Sequence, residues 1–352
     1  MSDVATEASN EEGIPGERVR RLVGGEGSAR AAGGGKRSFD WTGIHQLLHG
    51  AALDHSSQTE SNVMQMYHPK LIAPIRRVGR REFDLARHIV VMGIVNRTPN
   101  SGLDPNRSME LGETIATAER ALRDGAEWLD VGGRAFRSDQ PPLSGAEEID
   151  RVVPVIKGIR EKSDAVISVD THLPEVAEAA YKAGADVIND TNGLRSPGMA
   201  SLIAETGMSV VITHSIGGPG EVVASPQYGD VVSEVTEFLR QRADAAIGHG
   251  IRPEKIFIDP GHDLNKTTEH SNAITRRLGE IAAIGYPVLV ACSNKHFIRE
   301  SLGVARDSEA LKAGTIAANT MCVHQGARVV RVHDVAGNVT AMRAAESLLG
   351  LA

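Results

Sequence analysis

The sequence predicts an α/β fold, an eightfold (β/α)₈ barrel. Three observations predict it. Eight short apolar stretches rich in Val and Ile alternate with helix-like stretches from residue 88 to residue 350, close to the ~250 residues typical of such a barrel. Most of the apolar stretches end in Asp, Asn, His or Lys, as expected where parallel strands deliver ligand groups at their C-terminal ends. A doubly wound sheet is the competing architecture. It usually carries a G-x-G-x-x-G turn after its first strand, and here that strand runs instead into Asn96-Arg97-Thr98-Pro99-Asn100-Ser101.

Taken in order, residues 1–68 read as an extension. Its first 37 or so residues are rich in Gly, Ser, Glu and Arg without periodicity, a composition that predicts disorder. A short amphipathic helix is expected over 39–53, where Ile44, Leu47 and Leu48 follow Trp41. The barrel domain is expected over 69–352. Residues 89–95 are uniformly apolar and too short for a surface helix, so they read as a strand buried on both faces. Further strands are expected at 127–132, 165–170, 185–190, 209–213, 255–259, 286–291 and 327–331. Helices are expected at 109–123, 145–161, 174–183, 198–206, 230–249, 269–284, 308–324 and 337–349.

The bulk numbers narrow the function. The chain has 352 residues, 41% hydrophobic and 24% charged, with a formal net charge of −7, ordinary for a globular protein and unfavourable for a nucleic-acid binder. Aromatics are only 3%, so the core must rest on Val, Ile, Leu and Ala. The cysteines, Cys292 and Cys322, lie in no CxxC spacing, which fits a reducing compartment. The acidic, polar start lacks an apolar signal core, and the apolar window 281–292 is broken by Gly285 and Pro287. The expectation is a cytoplasmic protein, neither secreted nor membrane-bound.

The strand ends carry the candidate chemistry. They offer Asn96, then Asp130 and Arg134 to Arg137, Asp170-Thr171-His172, Asn189-Asp190, His214, Asp259 to Asp263, Ser293 to His296, and Arg331 to Asp334. One Asp at a strand end is commonly a cap; eight such ends in one chain point to a shared mouth. Asp170, Asn189, Asp259 and Lys295 suit the edge of a polar heterocycle, since amidine-like N–H groups pair with a carboxylate as a guanidinium does. Asn96, Arg137, Arg331 and His333 suit a phosphate or pyrophosphate, with an oxygen ligand for Mg²⁺ at Asn96. The expected ligand has a heteroaromatic head and a phosphorylated tail.

At these same positions the chain resembles the dihydropteroate synthase family. MGIVNRTPNS resembles its first-loop motif and EWLDVGG its second strand; ISVDT, VINDT and IDPG, then SNKHFI and RVHDV, resemble later strand ends in the right order, over roughly 88–350. The resemblance implies a transferase of folate biosynthesis that joins 6-hydroxymethyl-7,8-dihydropterin pyrophosphate to p-aminobenzoate, with Mg²⁺, as a homodimer. It implies pterin binding by Asp170, Asn189, Asp259 and Lys295. Pyrophosphate binding would fall to Asn96, Arg137, Arg331 and His333, with Asn96 also holding the metal. Asp170, Lys295, Arg331 and His333 would carry the catalysis.

The departures from the family pattern cluster on the first two loops and the acceptor side, and the sixth-strand loop reads His262-Asp263-Leu264-Asn265-Lys266 where glycine and phenylalanine dominate in the family. The first loop has Asn100 where the family usually has Asp after the proline. Arg134, Ala135 and Phe136 replace Glu-Ser-Thr in the second loop, and Ser293-Asn294-Lys295 replaces Ser-Arg-Lys after the seventh strand. Losing an arginine that pairs with the aminobenzoate carboxylate removes a charge-assisted bond of ~1.5–3 kcal/mol. Arg134, Phe136, Ser293 and Asn294 are the residues left to shape that side. These variants resemble a divergent second copy of the enzyme found in actinobacteria. Two further readings therefore accompany the family's reaction: a paralogue with lost or changed acceptor use, taking another amine, and a non-catalytic pterin-binding or partner-binding barrel. A metal-dependent barrel hydrolase would need an HxH pair after the first strand, where the chain reads Gly93-Ile94-Val95-Asn96.

Overall fold

The computed structural model describes residues 68–99, 104, 106–134, 143–218, 221–306 and 308–351. The helix expected at 39–53 and nearly all of the 1–68 extension lie outside the described residues. The first described element is one the sequence reading missed, an antiparallel hairpin of β1 (Ile75–Val78) and β2 (Arg81–Asp84). Gly79, at φ +56°, makes its turn. Val78, Phe83 and Leu85 pack on Trp128 and Phe257 inside the barrel and close its lower, N-terminal end. Four-residue strands flanked by charge give too little periodicity to be read in advance.

Eight parallel strands follow and close in the order β10-β3-β4-β5-β6-β7-β8-β9. They are β3 (Val90–Asn96), β4 (Trp128–Gly132), β5 (Val166–Asp170), β6 (Val187–Asp190), β7 (Ser209–Thr213), β8 (Ile256–Asp259), β9 (Val288–Val290) and β10 (Ala327–Val332). This is the expected (β/α)₈ barrel, with strand ends within two residues of expectation. The helices are α1 (Leu111–Arg123), α2 (Gly145–Arg160), α3 (Pro174–Ala183), α4 (Met199–Thr206), α5 (Val231–Gly248), α6 (Thr268–Arg276), α7 (Leu278–Ala282), α8 (His296–Leu302), α9 (Glu309–His324) and α10 (Val335–Leu348). The single helix expected over 269–284 is broken at Arg277, which leaves helical geometry at φ −116°. Its guanidinium grips both carboxylate oxygens of Asp230, the N-cap of α5, at 2.9 Å each. Helix α8 was not foreseen, because its start is set by a distant residue: the Asp263 carboxylate accepts the N–H groups of His296 and Phe297.

Alternation along the strands sorts their side chains into two cores. Val91, Leu129, Val131, Ile167, Val169, Ile188, Val210, Ile212, Ile258 and Val330 face outward to the helices. Val90, Met92, Trp128, Val166, Val187, Val211, Phe257, Leu289 and Val329 point into the barrel. Following the inward positions upward, each strand passes from apolar to polar: Trp128 to Asp130, Val166 through Ser168 to Asp170, Val187 to Asn189, Phe257 to Asp259, Val329 to Arg331. The lower barrel is a packed core, and the upper inward layer is polar.

Candidate active site

Strand register assembles that upper layer. Asn96 pairs with Gly132, Gly132 with Asp170, and Asp170 with Asn189 across four adjacent strands. Gly132 is required by close approach: a Cβ there would meet Asn96 Oδ1 at 2.5 Å. From β10, which neighbours β3 on its other side, Arg331 donates through Nε to Asp130 Oδ2 at 2.5 Å and through Nη2 to Asp170 Oδ2 at 3.1 Å. Asn189 Nδ2 donates to the same Asp130 oxygen at 3.0 Å. Asp130, fully buried, is therefore the pivot of the mouth. The sequence reading placed it at a strand end without a role. Its signal was the inward parity with Trp128, two residues earlier.

Two electrostatic features mark this network. Asp130 Oδ1 and Asn189 Oδ1 are buried without a hydrogen-bond partner, a cost of ~1–3 kcal/mol each unless something donates to them. Burial also raises the pKa of Asp170, against the pull of Arg331 and with the help of the Asp130 charge. Arg331 is itself held above the ordinary arginine range. Burial opposes its charge, and the Asp130 and Asp170 carboxylates outweigh that penalty.

Two further loops, after β8 and β9, continue the mouth. Asp259, buried at the end of β8, accepts the Gly261 N–H at 2.7 Å. Gly261 has φ +67°, and a Cβ there would lie 2.2 Å from the His214 carbonyl oxygen. Lys295 reaches across from the loop after β9 and donates from Nζ to the His262 carbonyl. A second lysine, Lys266, which the sequence reading named only as a departure in the loop after β8, is also buried here. Lys266 Nζ donates to the carbonyls of Gly261 and Leu264 at 3.0 and 3.1 Å and meets His214 Nδ1 at 2.9 Å. Burial lowers its pKa to about 7.

Asn96 and His333 are held by their own polar contacts. Asn96 Nδ2 donates to Asp104 Oδ2 at 2.8 Å, which leaves the amide oxygen facing Gly132 at the mouth. Asp104 is buried, and burial raises its pKa. Ser293 Oγ accepts the His333 backbone N–H at 3.1 Å and stands 2.9 Å from His333 Nδ1. With the Ser293 hydroxyl donating to Nδ1, the ring proton sits on Nε2. Burial, Arg331 and Lys295 together lower the His333 pKa to about 3, so the ring is a neutral N–H donor.

Arg134 and Asn294 are held differently. Arg134 donates to Glu148 Oε2 at 2.8 and 3.1 Å and to the Leu143 carbonyl at 2.7 Å. Glu148 is fully buried on α2, so Arg134 is a tether at the loop base. Asn294 sits at φ +58°, a conformation Asn tolerates far better than Arg. Phe136 and Arg137 lie outside the described residues. A cavity of about 550 Å³ opens beside Asn294 and His333, lined also by Arg120, Arg306 and Lys312.

Comparison with known proteins agrees with this geometry. Residues 92–333 match the family model described as pterin binding enzyme, and the chain belongs to that family. Within it, the relatives are dihydropteroate synthases. The Escherichia coli K12 enzyme is 37% identical over 262 residues, covering 74% of this chain and 92% of the relative. The Yersinia pestis dihydropteroate synthase in a sulfonamide drug complex aligns with a TM-score of 0.74 at 32% identity, over 78% of this chain and 99% of that one. The Xanthomonas albilineans enzyme in complex with 7,8-dihydropteroate aligns with a TM-score of 0.68 at 34% identity, over 78% and 98%.

Proposed function

We propose that the chain is a dihydropteroate synthase-type transferase that condenses 6-hydroxymethyl-7,8-dihydropterin pyrophosphate with p-aminobenzoate in folate biosynthesis. The observation that carries this reading is the buried Asp130–Arg331–Asp170–Asn189 network with its two unmatched oxygens. Asp170, Asn189, Asp259 and Lys295 hold the pterin edge. The orphaned oxygens of Asp130 and Asn189 take its N–H donors. As the bond from the pterin methylene to pyrophosphate breaks, the methylene becomes electron-deficient, and the two carboxylates stabilise it in a low-dielectric site. Arg331 and the His333 Nε2–H stabilise the departing pyrophosphate, joined by Arg137 from the second loop. The aryl amine nitrogen then bonds to the methylene and gives up a proton. It is a weak nucleophile, so positioning supplies much of the acceleration. Ser293 and Asn294 border the acceptor.

The residues present fit a magnesium ion. Mg²⁺ prefers hard oxygens and keeps several of them from water and phosphate. The Asn96 amide oxygen is left open by the bond from Nδ2 to Asp104, a buried carboxylate. Bound there with the substrate, Mg²⁺ would neutralise pyrophosphate charge. Among the described residues no helix is long and apolar enough to cross a membrane; a cytoplasmic homodimer is proposed from the sequence and the family. The test is formation of dihydropteroate from the two substrates with Mg²⁺. Pyrophosphate release that depends on aminobenzoate supports the reading. Release without coupled product would assign another acceptor, and no pterin binding would remove the reading altogether.

A further inference from the structure

Behind the pterin-side loops, three ligand-bearing side chains from three separate elements converge. His262 stands in the loop after β8, Cys292 just beyond β9, and Cys322 near the end of α9. All three are fully buried. One ligand atom from each lies within 4.8 Å of the other two, and both thiols are free. We infer that His262, Cys292 and Cys322 form a buried binding site for a thiophilic d¹⁰ cation, Zn²⁺ or Cu⁺.

The hydrogen bonding around His262 prepares it as a ligand. Thr275 Oγ1 gives its proton to the Ser271 carbonyl at 3.0 Å. It must then accept from His262 Nε2, 3.2 Å away, which places the ring proton on Nε2. The Nδ1 lone pair is left buried without a hydrogen-bond partner. A metal-binding imidazole is commonly oriented this way, one nitrogen donating to an outer partner and the other aimed at the ion. Stacking on Phe297, with ring centroids 5.5 Å apart, fixes the ring plane.

The donor set selects the ion. Two thiolates and an imidazole are soft ligands that favour Zn²⁺ or Cu⁺ over Mg²⁺ or Ca²⁺. Binding Zn²⁺ breaks two S–H bonds, forms two Zn–S bonds and releases two protons, leaving a centre with no net charge. Cu⁺ needs only one thiolate for the same neutrality, and a neutral centre suits a buried place. Occupancy would tie the loop of Asp259 and Gly261 to the loop of Ser293 and Lys295 and anchor both to α9. The Lys295 bond to the His262 carbonyl crosses the same junction.

The test uses the full chain without an affinity tag, reduced and stripped with a chelator. Zn²⁺ is titrated against a chromophoric chelator, Cu⁺ likewise under anaerobic conditions, and Co²⁺ serves as an optical probe. The expected result is one equivalent of Zn²⁺ or Cu⁺ per chain, a higher melting temperature with the ion, and a sulfur-to-cobalt charge-transfer band. The Zn²⁺ arm should release two protons and the Cu⁺ arm one, which separates the two ions. His262→Phe and Cys322→Ala should each weaken binding at least a hundredfold. The cobalt band in the unmodified chain keeps the test decisive should either variant fail to fold. Absence of saturable binding by either ion would overturn the inference and leave a thiol–imidazole contact. Binding that survives both variants would overturn it equally.

Discussion

Arg76 and Arg328 at the lower end of the barrel, and Arg331 at the upper end, solve one problem in opposite ways. All three carry a cation into the interior. Arg76 donates to the carbonyls of Ile72, Ala73, Glu254 and Ile256, and Arg328 to those of Leu85 and Ala327. No carboxylate pairs directly with either among the described residues, and burial lowers both pKa values to about 10. Arg331 is paired with two carboxylates and is held above the ordinary range instead. Around the lower arginines, donors and carbonyls match, which is the economy of a structural plug. Around Arg331, acceptor oxygens are left over. The difference sets a charge-paired upper layer against a lower one held by backbone carbonyls, as the proposed ligand site requires.

The sharpest way to break this comparison is to remove the charge at each end. Arg331→Met should abolish dihydropteroate formation, by at least ~10³-fold, and destabilise the fold by ~3–5 kcal/mol, because Asp130 is left buried and unpaired. Arg328→Met should also destabilise, by ~1–3 kcal/mol for each carbonyl it strands, while kcat/KM of the folded enzyme stays within about threefold. Denaturant unfolding and steady-state assays on both variants check the contrast.

Asp130→Asn keeps the shape of the pivot and deletes its charge. The expected loss is ~1.5–3 kcal/mol, ten- to a hundredfold in kcat/KM for the pterin substrate. An unchanged value would mean that Asp170 alone holds the head group. Gly132→Ala should push the Asn96 amide from its place and raise the KM for pterin pyrophosphate about tenfold, read as a steeper requirement for Mg²⁺. On the acceptor side, Asn294→Arg should lower the aminobenzoate KM by no more than about tenfold. Arginine must enter the left-handed region there at a cost of ~1–2 kcal/mol, visible as a lower melting temperature.

A separate test of the same region is a pH dependence of stability. The folded pKa of Lys266, about 7, lies below its ordinary value of 10.5, so between these values the unfolded chain binds the extra proton. Stability should therefore rise with pH across that window and be lost as pH falls through about 7. Lys266→Met should flatten this slope in unfolding experiments at graded pH.

Much of this was legible in the sequence, for reasons that particular residues show. The barrel was readable because Val, Ile and Leu runs such as 89–95 leave few other structures. Asp170, Asn189 and Arg331 were readable as a set because each stands at a strand's end, and the structure brings them together. Asp130 was harder, since its importance lies in a partner 201 residues away. The turn at Arg277 and the start of α8 depend on Asp230 and Asp263, contacts that no local pattern encodes. Arg134 shows the reverse: its type suggested an acceptor contact, while its fold neighbour Glu148 occupies it.

The most direct measurement is kcat/KM for dihydropteroate formation by Arg331→Met and Arg328→Met, side by side, at a temperature where both are folded. The account predicts near-native turnover for Arg328→Met and none detectable for Arg331→Met. Equal losses in the two variants would contradict it, since the two ends of the barrel would then serve catalysis alike.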